Sequence, residues 1–212
     1  MSTKDRIKQD YITQKGILTG FILIQKPSIK FNKKGTYQAN ILISKEEGEA
    51  LVDIIKNIRK EQFKKTGKGT QLAEITQCIP YFQVDEETGE KIVDKEGRYL
   101  LKTSATAYVK NMIPDVKIPV IDAKCKPISG ISIGEGSIAR LALSLEGYST
   151  AGKTGVSVKL KACQIIQLVE YSSSNKYLKN FSEEEGFDYS EYQKNTDTPC
   201  EEAPEEEEEA DF

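Results

Sequence analysis

The feature that most constrains this 212-residue chain is the way its charge is divided along its length. Residues 181–212 carry 14 acidic side chains and one lysine, leaving 29 basic and 19 acidic residues in the first 180, so a body of net +10 precedes a tail of net −13. A segment so dense in like charge cannot bury enough apolar surface to offset its chain entropy, and it is predicted to be disordered. Whatever packs must be built from residues 1–180, one ordinary domain's worth of chain.

Composition narrows the chemistry of that domain. The chain has no histidine, which removes the usual general base at neutral pH, the Ser-His and Cys-His nucleophile pairs and the commonest zinc ligand. Cys78, Cys125, Cys163 and Cys200 have no C-x-x-C spacing and suit neither a zinc knuckle nor a disulfide framework, so they read as reduced thiols. The first ten residues lack the apolar core of a signal peptide, and the longest apolar stretch, Gly16 to Ile24, is half a membrane span. The expectation is a cytoplasmic, non-enzymatic protein with no cofactor, no metal and no membrane partner.

The body reads as strands interrupted by one helix. Gly16 to Ile24 is short, β-branched and bounded by turn-formers, as a buried strand is. Lys26 to Gly35 reads as a basic loop and Thr36 to Ile43 as a second strand, giving a hairpin. Ser44 and Glu47 form a capping-box pair, and Leu51, Ile54, Ile55 and Ile58 follow at helical spacing, predicting a helix over about Ser44 to Lys65. The polar stretch from Gln71 to Arg98 suits a surface hairpin, its carboxylates lacking the spacing of a calcium loop. From Arg98 to Val109 the residues alternate, with Leu101, Thr103, Ala105, Ala107 and Val109 on one face and Lys102, Ser104, Thr106, Tyr108 and Lys110 on the other. A short strand is expected at Ile131 to Gly136, and a second hairpin from Ile138 to Glu146 and Val156 to Ala162 across a loop at Gly147 to Gly155. The sum is a mainly β fold: a curled five-stranded barrel with an inserted α-helix and an extra hairpin.

Gly147 to Thr154 matches the phosphate-binding pattern G-x-x-x-x-G-K-[ST] after a strand. That loop works only if a helix begins at its end, because backbone N–H groups at a positive helix terminus hold the phosphate. Here Gly155 to Lys161 alternates with period two, which is strand, so the nucleotide-binding reading is set aside as the least favoured.

Single-stranded nucleic acid is held by cations along its phosphates and aromatic rings under its bases. Three segments offer both: Phe31, Lys33, Lys34 and Tyr37; Lys102, Tyr108 and Lys110; and Tyr148, Lys153, Lys159 and Lys161. Arg140 joins them on the outward face of its strand. Each segment alone is compatible with an ordinary solvated face or a core aromatic; their co-occurrence on a +10 body points to nucleic-acid binding. In the tail, Glu205, Glu206, Glu207, Glu208 and Glu209 precede Ala210-Asp211-Phe212. A terminal ring beside carboxylates suits a small apolar pocket rimmed with Lys or Arg on a partner protein, and the polyanion also suits the body's own basic groove as a nucleic-acid mimic.

Tyr37-Gln38-Ala39-Asn40-Ile41-Leu42-Ile43-Ser44-Lys45, the helix after it, Tyr108-Val109-Lys110, Gly136-Ser137-Ile138-Ala139-Arg140, Tyr148 and Gly152-Lys153-Thr154-Gly155-Val156 resemble the bacteriophage single-stranded DNA-binding proteins of the OB-fold, as does the acidic tail ending in Asp211-Phe212. The resemblance covers most of residues 16–170 and the tail end, leaving 71–98 unplaced. It implies an OB-fold domain over 1–180 and a protein-interaction tail over 181–212. It further implies a coat for single-stranded DNA in replication, recombination and repair, with the tail recruiting the replication polymerase, primase-helicase or nuclease and, as in related proteins, serving dimerisation or self-regulation. With no Trp in the chain, Tyr and Phe would do all the stacking. The rival class is an acidic-tailed anchoring module that binds basic proteins and no DNA.

Overall fold

A computed structural model describes residues 6–30, 32–66, 69–85, 88–110, 113–150 and 152–170, with the side chains of 109, 110 and 113 not described. Phe31 and the tail residues Glu205 to Glu209, Asp211 and Phe212 lie outside this set.

Five strands close a barrel: β1 (Gly16–Ser28), β2 (Thr36–Ile43), β3 (Tyr99–Thr106), β4 (Ile138–Thr150) and β5 (Lys153–Gln167). β1 pairs antiparallel with β2, β2 with β3 and β4 with β5. The ring is completed by a parallel bridge between β3 and β5 at Ser104–Lys159 and by antiparallel pairs of β4 with β1 at Ile138–Ile17 and Ala139–Gly16. This 1-2-3-5-4-1 order is the closed OB-type barrel expected from the alternating segments. Period-two patterning explains it: Leu18, Ile24, Tyr37, Ala39, Ile41, Leu101, Leu141, Leu143, Leu145, Val158 and Leu160 all turn inward and are buried.

The helix α1 (Lys45–Thr66) lies between β2 and β3 and buries Leu51, Ile55 and Ile58 against the same core. Ser44 caps it, its Oγ accepting from Glu47 N at 3.2 Å. The reciprocal half of the expected capping box is absent. The buried Glu47 carboxylate instead accepts from Gln14 N at 2.7 Å and Tyr11 Oη at 3.0 Å, tying the N-terminal segment to the barrel. Burial, followed by the Glu47 charge, pushes the Tyr11 phenol up to about 12.

That N-terminal segment carries no periodicity that would predict structure. Its strand Lys8–Ile12 adds to the edge of β4, pairing Lys8 with Glu146 and Ile12 with Ala142. Thr13 Oγ1 accepts from Leu141 N at 2.9 Å, and Ile7 N donates to Gln62 Oε1 at 2.8 Å.

The expected surface hairpin pairs Phe82–Val84 with Lys91–Val93, and two short pairings precede it, Gln71–Leu72 on β5 and Cys78–Pro80 on β3. The hairpin is held at its base by the buried Asp94, which accepts from Arg98 Nη2 at 2.7 Å, Nε at 3.0 Å and backbone N at 3.1 Å.

Three other expectations are corrected. β3 ends at Thr106, so Tyr108 and Lys110 lie beyond the strand on whose outward face alternation puts them; the backbone of Val109–Lys110 pairs with Ile113–Pro114 instead. Ile131 to Gly136 is not a strand and contributes only the bridge Ile133–Glu170. The expected Gly147 to Gly155 loop is almost wholly strand, because β4 runs to Thr150 and β5 restarts at Lys153.

Candidate nucleic-acid interface

The outward faces of β2, β3 and β5 meet in an open groove of about 850 Å³. In register, Gln38 stands opposite Ser104 and Ser104 opposite Lys159, so neighbouring outward side chains form one polar row across three strands. Lys102 is exposed two pairs further along, opposite Asn40. Tyr148 closes the groove on the β4 side and Arg6 enters it from the N-terminal segment; Thr76 and Gln77 border it beside β3. Of the predicted residues, the groove therefore brings together Lys102, Tyr148 and Lys159.

Tyr148 lies across the strand pair because its partner in register is Gly155. A Cβ at Gly155 would meet Tyr148 Oη at 2.5 Å, so the half-buried ring rests against bare backbone.

The charge of the groove is organised around a buried acid. Glu146 sits on the outward face of β4 with its carboxylate 2.6 Å from Lys159 Nζ and 3.6 Å from both Arg6 Nη1 and Lys8 Nζ. Burial alone would raise this carboxyl, but the hydrogen bond from Lys159 and the charges of Lys159, Lys8 and Lys161 outweigh it, and the group is held below the usual carboxylate range. One negative charge against three contacting cations leaves a local surplus of positive charge on the groove edge.

The other predicted residues are placed differently. Tyr37, 1% exposed, is a core residue beneath β2, so it offers no face to a base. Its odd-numbered position shares the inward phase of Ala39 and Ile41, which the alternation already contained. Arg140 is committed elsewhere: its Nε donates to Thr13 O at 3.0 Å and fastens the N-terminal segment. Lys161 is exposed at the irregularity where β4 and β5 shift register, and Lys153 is exposed at the β4–β5 turn. Lys33 and Lys34 are exposed on the β1–β2 connection, and Lys34 Nζ lies 5.8 Å from the centroid of the Tyr108 ring. Tyr108 is 51% exposed and has φ 51°, a left-handed backbone that few tyrosines adopt. The β1–β2 and β4–β5 connections and the β2–β3 face are the parts of an OB barrel that ordinarily take oligonucleotides. Lys33, Lys34, Lys102 and Lys153 fall on them.

Sequence reasoning missed Arg6, Gln38, Gln77 and Ser104. Arg6 lies in an arm with no periodicity, and it reaches the groove only because Glu47, Arg140 and Gln62 fix that arm in place.

No family model matches the sequence, and no curated protein matches it. The architecture does have counterparts among solved structures. Gp2.5, a single-stranded DNA-binding protein encoded by bacteriophage T7, superposes with a TM-score of 0.56 at 18% identity, covering 85% of this chain and 98% of that one. The two share one fold. The single-stranded DNA-binding protein of bacteriophage Enc34 gives a TM-score of 0.49 at 10% identity, covering 85% of this chain and 92% of that one. The same Enc34 protein in complex with single-stranded DNA gives 0.48 at 11% identity, covering 78% and 88%.

Proposed function

We propose that this chain is a non-catalytic, cytoplasmic single-stranded DNA-binding protein, which coats DNA during viral replication, recombination and repair. The observation that carries the reading is the groove over β2, β3 and β5, where Lys102, Lys159 and Arg6 surround an open polar floor and Tyr148 supplies a ring at its edge. Phosphates would lie along the cations and a base against the ring. A groove of this kind has no device for reading base edges in a duplex, so the preference is for unpaired strands of any sequence. The shared fold with gp2.5 of bacteriophage T7 supports the same reading.

The deciding experiment is a titration of the full chain with oligothymidylate and with duplex DNA over a range of salt. Tight, salt-dependent binding to the single strand is expected, with weaker binding to the duplex. No binding to oligothymidylate at low salt refutes the proposal and leaves the protein-anchoring module.

For residues 181–212 the proposal is recruitment of the replication polymerase, primase-helicase or nuclease, with Glu205 to Glu209, Asp211 and Phe212 as the contact and dimerisation as an associated role. Deleting 183–212 should tighten DNA binding at low salt and abolish recruitment. Weaker binding after deletion contradicts the idea that this polyanion competes for the groove.

A further inference from the structure

Among the described residues, the most exposed aromatic ring of the barrel lies outside the groove. Phe21, on β1, is 76% exposed, although the segment around it reads as a buried strand. Leu18 and Ile24 do reach the core. Between them the ladder slips: Thr19 pairs with Asn40 and the next pair is Leu23 with Gln38, so four residue steps on β1 oppose two on β2. The surplus residues form a bulge, and Gly20, at φ 66°, makes its turn.

The bulge is built rather than slack. Glu135 reaches across from the segment before β4, its Oε1 accepting from Thr19 Oγ1 at 2.5 Å and from Gly20 N at 2.9 Å. Two hydrogen bonds to one carboxylate oxygen fix the backbone that aims Phe21 outward. The ring overlooks a cavity of about 640 Å³ whose other walls include Ile22, Leu23, Ile133 and the cation Lys26.

This cavity adjoins the groove across the β1–β2 pair, Leu23 lining the one and Gln38 the other. Leu23 stands opposite Gln38, Gln38 opposite Ser104, and Ser104 opposite Lys159, one row of outward residues over four strands. At about 4.8 Å between strands the row is about 14 Å long, a span that fits within the roughly 4–16 nucleotides bound per OB barrel. An exposed aromatic with an apolar floor and a neighbouring lysine is what an unpaired base and its phosphate require.

The geometry points to Phe21 as a base-stacking platform, with the cavity beside it receiving a nucleobase of the same single strand whose phosphates occupy the groove. This rests on the proposed DNA-binding function and extends the contact surface from β2, β3 and β5 onto β1.

The chain has no tryptophan, so Phe21→Trp gives a single reporter. In the full-length protein, titration with oligothymidylate should quench the Trp emission to saturation. Phe21→Ala should lower affinity by roughly 5- to 150-fold without changing the salt slope, since a stack carries no charge. Thermal melting at the wild-type temperature checks that Phe21→Ala is folded, as expected for an exposed ring. Wild-type affinity in Phe21→Ala with unquenched Trp emission overturns the inference, as does a loss of affinity accompanied by a smaller salt slope. Failure of the wild-type chain to bind oligothymidylate overturns the DNA-binding reading itself, and is distinguished by that arm alone.

Discussion

Replacing Glu146 by Gln separates stability from binding, because the carboxylate serves the two in opposite directions. In the folded state it is buried and meets Lys159 at 2.6 Å and Arg6 and Lys8 at 3.6 Å. Stranding a fully buried partner charge costs about 3–5 kcal/mol, but all three cations here reach solvent and can rehydrate. What is lost is chiefly one charge-assisted hydrogen bond, about 1.5–3 kcal/mol. For a domain of this size that is a fall in Tm of about 3–12 °C. The Glu146 pKa is lowered in the fold, so its stabilisation is complete above the ordinary carboxylate value of 4.5 and disappears as pH falls through the lower folded value. The melting difference between wild type and Glu146→Gln should therefore be full at pH 7 and close at acidic pH. Binding moves the other way. Removing one negative charge from the groove edge frees the equivalent of one cation for phosphate, steepening the salt slope by about 0.7 and tightening binding at low salt. Calorimetry paired with oligothymidylate titration tests both. A variant that is folded and yet binds more weakly at low salt would show that Glu146 presents the cations rather than cancelling one, and the electrostatic argument would be wrong.

Lys102 has no anionic partner within ion-pair distance among the described residues, so Lys102→Ala should leave Tm unchanged while reducing the salt slope by about 0.7, one phosphate contact; an unchanged slope removes it from the interface. Asp94 is a structural acid: hydrogen bonding from Arg98 holds its carboxyl at about 2. Its stabilisation is present above the ordinary value of 3.8 and is lost as pH falls through about 2, so hydrogen exchange of residues 81–98 should accelerate across that interval in wild type and be already fast at neutral pH in Asp94→Asn. Exchange in the variant matching wild type at pH 7 would mean the hairpin does not depend on that pair.

The barrel is legible in the sequence because its strands are buried on one face, and a single phase error would turn every leucine outward. Leu141, Leu143, Leu145, Val158 and Leu160 can be assigned from alternation alone, and α1 from its apolar spacing and Ser44. The N-terminal strand is not legible because Lys8–Ile12 pairs along an edge, with only Ile7 and Tyr11 packing on the core, and its position depends on Glu47 and Arg140, far away in sequence. For the same reason the cluster around Glu146 is only half visible. The lysines are recognisable as an outward face, but the acid that gathers them and the arm that brings Arg6 arrive through tertiary contacts. Tyr108 is misplaced when alternation is extrapolated beyond the end of β3, because its left-handed backbone breaks the phase there.

The Gly147 to Thr154 match shows how a phosphate-loop pattern can be satisfied by another structural need. Gly147 lies within β4, under the helix: a Cβ there would meet Gln62 Oε1 at 2.7 Å and Gln62 Cβ at 2.9 Å. Gln62 cannot retreat freely, since its Oε1 accepts from Ile7 N at 2.8 Å and its Nε2 donates to Thr66 Oγ1 at 2.6 Å. Gly152 makes the β4–β5 turn, and Thr154, the residue that would face a magnesium ion in a nucleotide site, is buried with its hydroxyl 2.9 Å from Ser149 Oγ and 2.6 Å from Thr70 Oγ1. Strand β5, not a helix, follows, so no array of free N–H groups awaits a phosphate. Gly147→Ala should therefore act through packing, destabilising by about 1–3 kcal/mol as an overpacked contact does and loosening the N-terminal segment that Gln62 holds. Hydrogen exchange at residues 6–12 should rise with that substitution. A Gly147→Ala variant as stable as wild type would refute this packing account, and one whose only defect is in binding ATP would restore the nucleotide reading of this segment.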